Sequence, residues 1–321
     1  GKALDTAIIA EMVNDDILVL QPNIELLEQN VEKARSFGLD PSIYSASANK
    51  KEVSNITYAT PLSVVSNPSA FKNKKIIVID ECHLNMSNSI KNGKVSSRSK
   101  LNEFINYINP EKVIGLTASP IQLVTTRMGS ELKMINRSMR SFWYKSDIFH
   151  ITQINEIYEK YWANIKTEIV DSDINVLTRL RDNSPEFTDQ SIINQYEENN
   201  FKIKILDNYE NLLYNGKKSI LTFVPSVKQA LELSKHNKEF AVVYDKTPKK
   251  ERKAIVDAFK RGDIPMLINC QVFTAGFDHP ELDGLIMARD TMSHQLYYQI
   301  YGRIVRPIVE NGNIIKKEGT I

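Results

Sequence analysis

The sequence predicts an α/β fold of two tandem domains, each a mainly parallel sheet with helices on both faces. Three observations carry this expectation. Short aliphatic runs alternate with amphipathic stretches over residues 1–145 and again after Gly216, the pattern of strands joined by crossover helices. The run Ile76-Ile77-Val78-Ile79 is apolar throughout, so both faces of its strand are expected to be buried. A chain of 321 residues is also longer than one ordinary core organises.

In chain order, the apolar positions Ala7, Ile8, Met12 and Val13 suit a first helix, followed by a strand over Ile17–Leu20. Asn23 is placed to cap a second helix, with Ile24, Leu27, Val31 and Ala34 on one face and Gly38 beyond its end. Further strands are expected at 41–45, 55–59, 75–80 and 112–117. Residues 86–100 break the rhythm, with Lys91, Lys94, Arg98 and Lys100 among many Ser and Asn and no acid. They read either as a solvated, mobile loop or as a basic loop that grips phosphates. The second domain, 146–321, includes a helical connecting segment at about 171–215, with a short strand at 166–170, an exposed polar loop at 182–189 and helical periodicity from Ile192 to Leu213. Strands are then expected at 219–223, 240–244, 266–269 and 285–288. Helices are expected from Ser226, over 248–260 with Ile255, Ala258 and Phe259 inward, and over 293–303.

Composition narrows the classes. Hydrophobic residues make up 42% and charged residues 25%, as in ordinary globular domains. The net charge of +2 gives no bulk argument for a nucleic-acid partner, so any basic surface must be local. Cys82 and Cys270 lie far apart beside apolar strands and suggest reduced thiols rather than a metal site. No apolar stretch approaches the length of a membrane span, and a membrane partner is not expected. The chain opens on Gly1-Lys2 without an initiator Met and stops at Ile321 just after an apparent hairpin, which suggests part of a longer protein.

The chemistry concentrates at Asp80-Glu81-Cys82-His83, at the end of the apolar run 76–79. Carboxyl ends of parallel strands are where open α/β sheets place their ligands. An Asp that holds Mg²⁺, followed by a Glu that orients or deprotonates water, is the pair that nucleotide hydrolysis needs. Taken alone, the four residues fit equally well an Asp capping a turn after a core strand, with the Glu solvated.

The company they keep decides between these readings. Gly1-Lys2 resembles the end of a Walker A loop; Gln21-Pro22 with Leu27 and Gln29 resembles motif Ia, and Ala59-Thr60-Pro61 motif Ib. Asp80–His83 fits motif II and Thr117-Ala118-Ser119 motif III. Leu221-Thr222-Phe223 opens motif IV, FTAGFDHP at 273–280 resembles motif V, and Gln299 to Arg306 fits Q-x-x-G-R-x-x-R, the form of motif VI. In this order the set resembles the superfamily 2 helicases and translocases of the DExH kind, over nearly the whole chain. Residues 244–283 and the ending YYQIYGRIVRP resemble more narrowly the bacteriophage-encoded helicases that remodel branched DNA and the related duplex-DNA translocases. Cys82-His83 and Tyr298 depart from the DEAD-box RNA helicases, without excluding RNA.

The resemblance implies two RecA-like domains with ATP in the cleft between them and Mg²⁺ as cofactor. Gly1 and Lys2 would receive the phosphates, Asp80 would bind the metal and Glu81 would orient water. Arg303 and Arg306 would act as arginine fingers, sharing one helix face at i and i+3 with Gln299 a turn earlier. Gly276 would allow close approach to a phosphate, and Asp278 would touch the ribose or hold Arg303. Thr60 and Thr274 would contact the nucleic-acid backbone, with Lys91, Lys94 and Arg98 as further contacts. Thr117, Ser119 and His83 would couple nucleotide state to domain closure. One departure stands out: Ala3 occupies the position where the family places the Ser or Thr whose hydroxyl binds Mg²⁺, and Thr6, a turn on, does not simply replace it. The implied protein is an ATP-dependent DNA helicase or translocase that couples ATP hydrolysis to movement on or remodelling of branched or duplex DNA, monomeric and cytoplasmic, in the host cytoplasm if phage-encoded. Two other readings follow from the same residues. One is a nucleic-acid-binding module whose turnover Ala3 impairs; the other is the motor part of a restriction or repair nuclease.

Overall fold

The computed structural model describes residues 2–13, 16–84, 88–91, 94–97, 99–126, 129–139, 141–149, 154–172, 177–178, 187–270, 277–291, 293–311, 313–315 and 317–321. The chain divides into two compact units, Gly1–Phe149 and His150–Ile321.

Unit 1 runs α1 (Lys2–Val13), β1 (Ile17–Leu20), α2 (Ile24–Ser36), β2 (Ser42–Ser45), β3 (Lys50–Lys51), β4 (Ile56–Ala59), α3 (Pro61–Ser66), β5 (Ile76–Asp80), β6 (Asn88–Lys91), β7 (Lys94–Ser97), α4 (Lys100–Ile108), β8 (Lys112–Leu116), β9 (Ile121–Thr126) and β10 (Gly129–Met134). Its main sheet has the order β3-β2-β4-β1-β5-β8 and is parallel except for β3. Apolar strands bury both faces, as their unbroken runs require. Leu18, Leu20, Ile77 and Ile79 pack with Phe71, Phe104 and Ile105. Ile17, Val19 and Val78 pack on the other side with Ala7, Ala10, Leu27, Val31 and Ala34 of α1 and α2. Asn23 caps α2, its Oδ1 accepting from the Leu26 N–H at 2.9 Å, and Gly38 follows the helix at φ +83°.

The register brings four strand ends to one edge. Leu20 lies between Ala59 and Ile79, and Asp80 opposes Leu116. From central β1 the chain passes to β2 and β4 on one side, then returns to β5 and β8 on the other. This reversal is the switch point at which α/β sheets bind ligands.

Unit 2 runs α5 (Ile154–Lys160), β11 (Asn164–Lys166), α6 (Asp189–Glu198), α7 (Phe201–Tyr214), β12 (Ile220–Phe223), α8 (Val227–Ser234), β13 (Ala241–Val243), α9 (Lys249–Lys260), β14 (Met266–Asn269), β15 (Gly284–Met287), α10 (His294–Ile304), β16 (Ile308–Glu310), β17 (Asn313–Ile315) and β18 (Glu318–Thr320). Its parallel sheet has the order β11-β18-β15-β12-β14-β13. Ile220, Met266 and Ile268 face Tyr209 of α7 and Leu233 of α8. Leu221, Leu267 and Leu285 face Phe259 of α9 and Ile300 and Ile304 of α10.

Several expectations are corrected. Of the apolar positions that suggested α1, Ala7 is buried together with Thr6 and Ala10, whereas Ile8 and Met12 are exposed. Small residues let this helix lie close to its neighbours. Within the segment expected to be a loop, residues 88–91 and 94–97 pair as the antiparallel strands β6 and β7. The strand expected at 166–170 is β11, ending at Lys166. The single helical stretch 192–213 is two helices, because Asn200 takes the left-handed conformation at φ +52° and starts a new one. Most of the expected polar loop at 182–189 lies outside the described residues, and Asp189 already belongs to α6.

Candidate active site

Lys2 opens α1, and Asp80 and Glu81 end β5 at the same sheet edge. Lys2 Nζ lies 3.1 Å from Asp80 Oδ1 and also pairs with Glu81 Oε1. Asp80 is 5% exposed. Burial pushes its carboxyl up from the ordinary value, the Lys2 ammonium pulls it back and the neighbouring Glu81 adds to the rise. Lys2 is thus the counter-charge beside a buried carboxyl. Glu81 adopts φ +48°, a left-handed conformation that residues other than Gly, Asn and Asp rarely enter. Its N–H donates to Asp80 Oδ1 at 2.9 Å, and its carbonyl accepts from the Leu84 N–H at 2.8 Å. Such strain is typical of residues held for function.

Around this pair, His83 Nδ1 and Thr117 Oγ1 share a hydrogen bond of 2.6 Å, and Thr117 Oγ1 accepts from the Ser119 N–H at 2.9 Å. The three residues expected to couple therefore form one chain beside Glu81, whose Oε2 is 3.6 Å from His83 Nδ1. Burial pushes the His83 pKa down, with Glu81 opposing and Lys2 assisting, so the ring stays neutral at pH 7 and the contact is not an ion pair. Thr6, fully buried, donates its hydroxyl to the Ala3 carbonyl at 2.9 Å. It offers no substitute for the hydroxyl absent at Ala3. Thr60 begins α3 at the neighbouring strand end, its Oγ1 2.9 Å from Ser63 Oγ and 3.3 Å from Ser45 Oγ.

In unit 2, Arg303 is buried in the last turn of α10 and donates to the Phe277 carbonyl at 2.6 Å. Arg306 pairs with Asp278. Asp278 therefore holds Arg306, not Arg303. The shared-face geometry is also corrected: α10 ends at Ile304, which leaves Arg306 beyond the helix while Gln299 and Arg303 remain on it. Gly1, Arg98, Thr274 and Gly276 lie outside the described residues. Lys91 and Lys94 are described only as opposed backbone positions of β6 and β7.

Sequence reasoning missed two groups. Trp143 donates its indole N–H to the Cys82 carbonyl at 2.7 Å, inside the Asp80–His83 segment. His279 is buried with Nε2 2.8 Å from Ser219 Oγ, and Lys317 donates to the Pro280 and Leu282 carbonyls, fixing the loop that carries Asp278. An aromatic pair, Phe142-Trp143, in an otherwise polar stretch was the available signal for the first. Nothing in the spacing marked the second.

The arrangement has definite chemical capacities. Helix N–H groups and an ammonium at the start of α1 suit a phosphate. If Lys2 turned to that phosphate, buried Asp80 would need another cation, and a hard carboxylate oxygen suits Mg²⁺.

Comparisons with known proteins follow the same division. Residues 1–122 match the family model "Type III restriction enzyme, res subunit", and residues 202–307 match "Helicase conserved C-terminal domain". A Saccharomyces cerevisiae protein named as an ATP-dependent helicase, IRC3, is 26% identical over 237 residues, covering 72% of this chain and 32% of that protein. A Schizosaccharomyces pombe protein named as a mitochondrial ATP-dependent helicase is 25% identical over 312 residues, covering 91% of this chain and 46% of that protein. The chain thus spans under half the length of each. Among solved structures, the Type ISP restriction-modification enzyme LlaBIII bound to DNA is similar with a TM-score of 0.64 at 14% identity, covering 100% of this chain and 25% of that one. Dbp5 of S. cerevisiae bound to RNA and ADP BeF3 is similar with a TM-score of 0.59 at 15% identity, covering 100% and 76%. These structural likenesses support tandem RecA-like domains.

Proposed function

The chain belongs to the superfamily 2 helicases, and from that premise we propose that it is an ATP-driven motor of the DExH kind acting on duplex or branched DNA. The observation that carries this reading is the Lys2–Asp80–Glu81 cluster at a helix N-terminus on the switch edge of a parallel sheet. In the proposed cycle the β- and γ-phosphates draw Lys2 away from Glu81, and the freed carboxylate orients the attacking water. Asp80 would hold Mg²⁺, which supplies neutralisation of phosphate charge. Arg303 and Arg306 are proposed to meet the γ-phosphate when the two units close on ATP, Arg306 exchanging Asp278 for it. Thr117, Ser119 and His83 would carry the change at Glu81 to the rest of unit 1 through their hydrogen-bonded chain.

DNA is favoured over RNA by the bacteriophage-like segments at 244–283 and 297–307. One observation favours a second reading, a binding module with impaired turnover: Ala3 lacks the ligand hydroxyl, and Thr6 is committed to the Ala3 carbonyl.

Single-turnover ATP hydrolysis with single-stranded, duplex and forked DNA and with RNA separates these readings. Stimulation by duplex or forked DNA that Glu81→Gln abolishes is the expected result. Stimulation by RNA alone would refute the DNA assignment. A chain that binds DNA but hydrolyses nothing until Ala3→Ser is introduced would establish the second reading.

A further inference from the structure

We propose that Trp143 is a positioning residue for Glu81: its indole N–H holds the Cys82 carbonyl and, through it, the left-handed turn that aims Glu81 into the site. The inference rests on the reading of Glu81 as the group that orients water.

Glu81 sits at φ +48°, so the turn after β5 must be held by its surroundings. The Cys82 peptide next to it is pinned from both sides. Its N–H donates to the Leu116 carbonyl at 3.0 Å, and its carbonyl accepts from Trp143 Nε1 at 2.7 Å. The first bond extends the pairing of β5 with β8. The second comes from a side chain 61 residues away and has no part in the sheet.

Trp143 is itself fixed. It is 7% exposed and packs edge-on against Phe142, with ring centroids 5.1 Å apart. Its N–H donates to Ser141 Oγ at 3.1 Å, and its carbonyl accepts from the Ser146 N–H at 2.9 Å. Gly115 on β8 makes the room. A Cβ there would lie 2.8 Å from Trp143 Cη2 and Cζ2 and 2.8 Å from Cys82 Sγ, closer than real Cβ contacts come. The glycine, the indole and the Cys82 peptide thus interlock behind Glu81. A Phe would fill most of the ring's volume, but only an indole carries the N–H that reaches Cys82.

The test is Trp143→Phe, which keeps aromatic packing and deletes the N–H. The expected result is a fall of about tenfold in kcat for DNA-stimulated ATP hydrolysis, the scale of an unsatisfied buried carbonyl. KM for ATP should stay within about twofold, because Lys2 and the start of α1 are untouched. A folded variant with wild-type kcat overturns the proposal, as does a rise in KM at unchanged kcat. If Trp143→Phe does not fold, replacing tryptophan by benzothienylalanine in a Trp162→Phe background removes only the N–H, and 5-fluorotryptophan restores it. Equal activity of those two proteins overturns the proposal. Failure of the underlying reading looks different: wild type and Glu81→Gln would then hydrolyse ATP at the same rate. In that event a crystal structure of the Trp143 variant decides, with Glu81 expected to leave the left-handed region and an unmoved Glu81 counting against the clamp.

Discussion

Acidification should loosen unit 2 through His279. The imidazole is 3% exposed, its Nε2 2.8 Å from Ser219 Oγ and its ring edge-on to Phe259 at 5.2 Å. Burial pushes its pKa down from 6.5 to about 4; Lys260 and Lys317 act in the same direction and Asp278 opposes them. Glu281 Oε2 lies 3.3 Å from Nδ1, but that carboxylate is largely solvated and its attraction is screened. The folded value is below the unfolded one, so the neutral ring's contribution is complete above pH 6.5 and is lost as pH falls towards 4. Each pH unit in that window carries about 1.4 kcal/mol, for a total near ~3 kcal/mol and about 2 kcal/mol by pH 5. Lys317, pushed down to about 8 by burial, titrates above this window. His83 shifts in the same direction as His279 but belongs to unit 1. Hydrogen exchange of the β12 and β14 amides, corrected for intrinsic rates, reads unit 2 by itself. Wild type should lose about 2 kcal/mol of protection free energy between pH 7.5 and 5, and His279→Gln, with a neutral amide, should lose much less. Equal losses in the two proteins would refute the assignment to His279.

Other outcomes follow from the same geometry. Glu81→Gln should lower single-turnover hydrolysis by about 10²–10⁴ while fluorescent-ATP binding persists, and undiminished hydrolysis would remove Glu81 from the water-orienting role. Arg306→Ala should abolish DNA-stimulated hydrolysis and spare ATP binding, whereas near-normal turnover would end the arginine-finger assignment. Gly115→Ala should destabilise unit 1 by about 1–3 kcal/mol in urea unfolding, because a methyl there meets both Trp143 and Cys82; wild-type stability would contradict the close packing.

The parts legible in the sequence were those written as continuous patterns. Ile17–Leu20 and Met266–Asn269 lie where their apolar runs put them, because a strand buried on both faces is built mainly from apolar residues. Asn23 and Ser226 cap helices as their side chains allow, Ser226 Oγ accepting from the Gln229 N–H at 3.3 Å. The face of α1 was not legible, because hydrophobicity ranks Ile8 and Met12 above Thr6 and Ala10. Close packing instead selected the small residues, and Thr6 satisfies its hydroxyl on its own helix. The break at Asn200 was hidden as well, since the apolar period continues across it. At the site, order along the chain identified Lys2, Asp80 and Glu81, and the contacts bring those three together. Partners distant in sequence stayed invisible: Trp143 reaches Cys82 across 61 residues, and Arg306 pairs with Asp278, for which the ribose or Arg303 was the expected partner.

Those contacts share a logic. In each unit a cation proposed to meet phosphate is neutralised by a carboxylate of its own unit: Lys2 by Asp80 and Glu81, Arg306 by Asp278. The two pairs differ in environment. Arg306 and Asp278 are 39% and 40% exposed, so their pairing is screened and readily exchanged for a more highly charged phosphate. Asp80, with its side chain 4% exposed, cannot give up Lys2 without leaving a charge buried. The Lys2 pair should therefore exchange only when a second cation arrives with the phosphates, as it does in Mg·ATP. On this argument metal-free ATP should bind far more weakly than Mg·ATP to the wild type, and the difference should shrink in Asp80→Asn, where no carboxylate charge is left to compensate. Equal discrimination by the two proteins would show that Asp80 is not what links the metal to the phosphates.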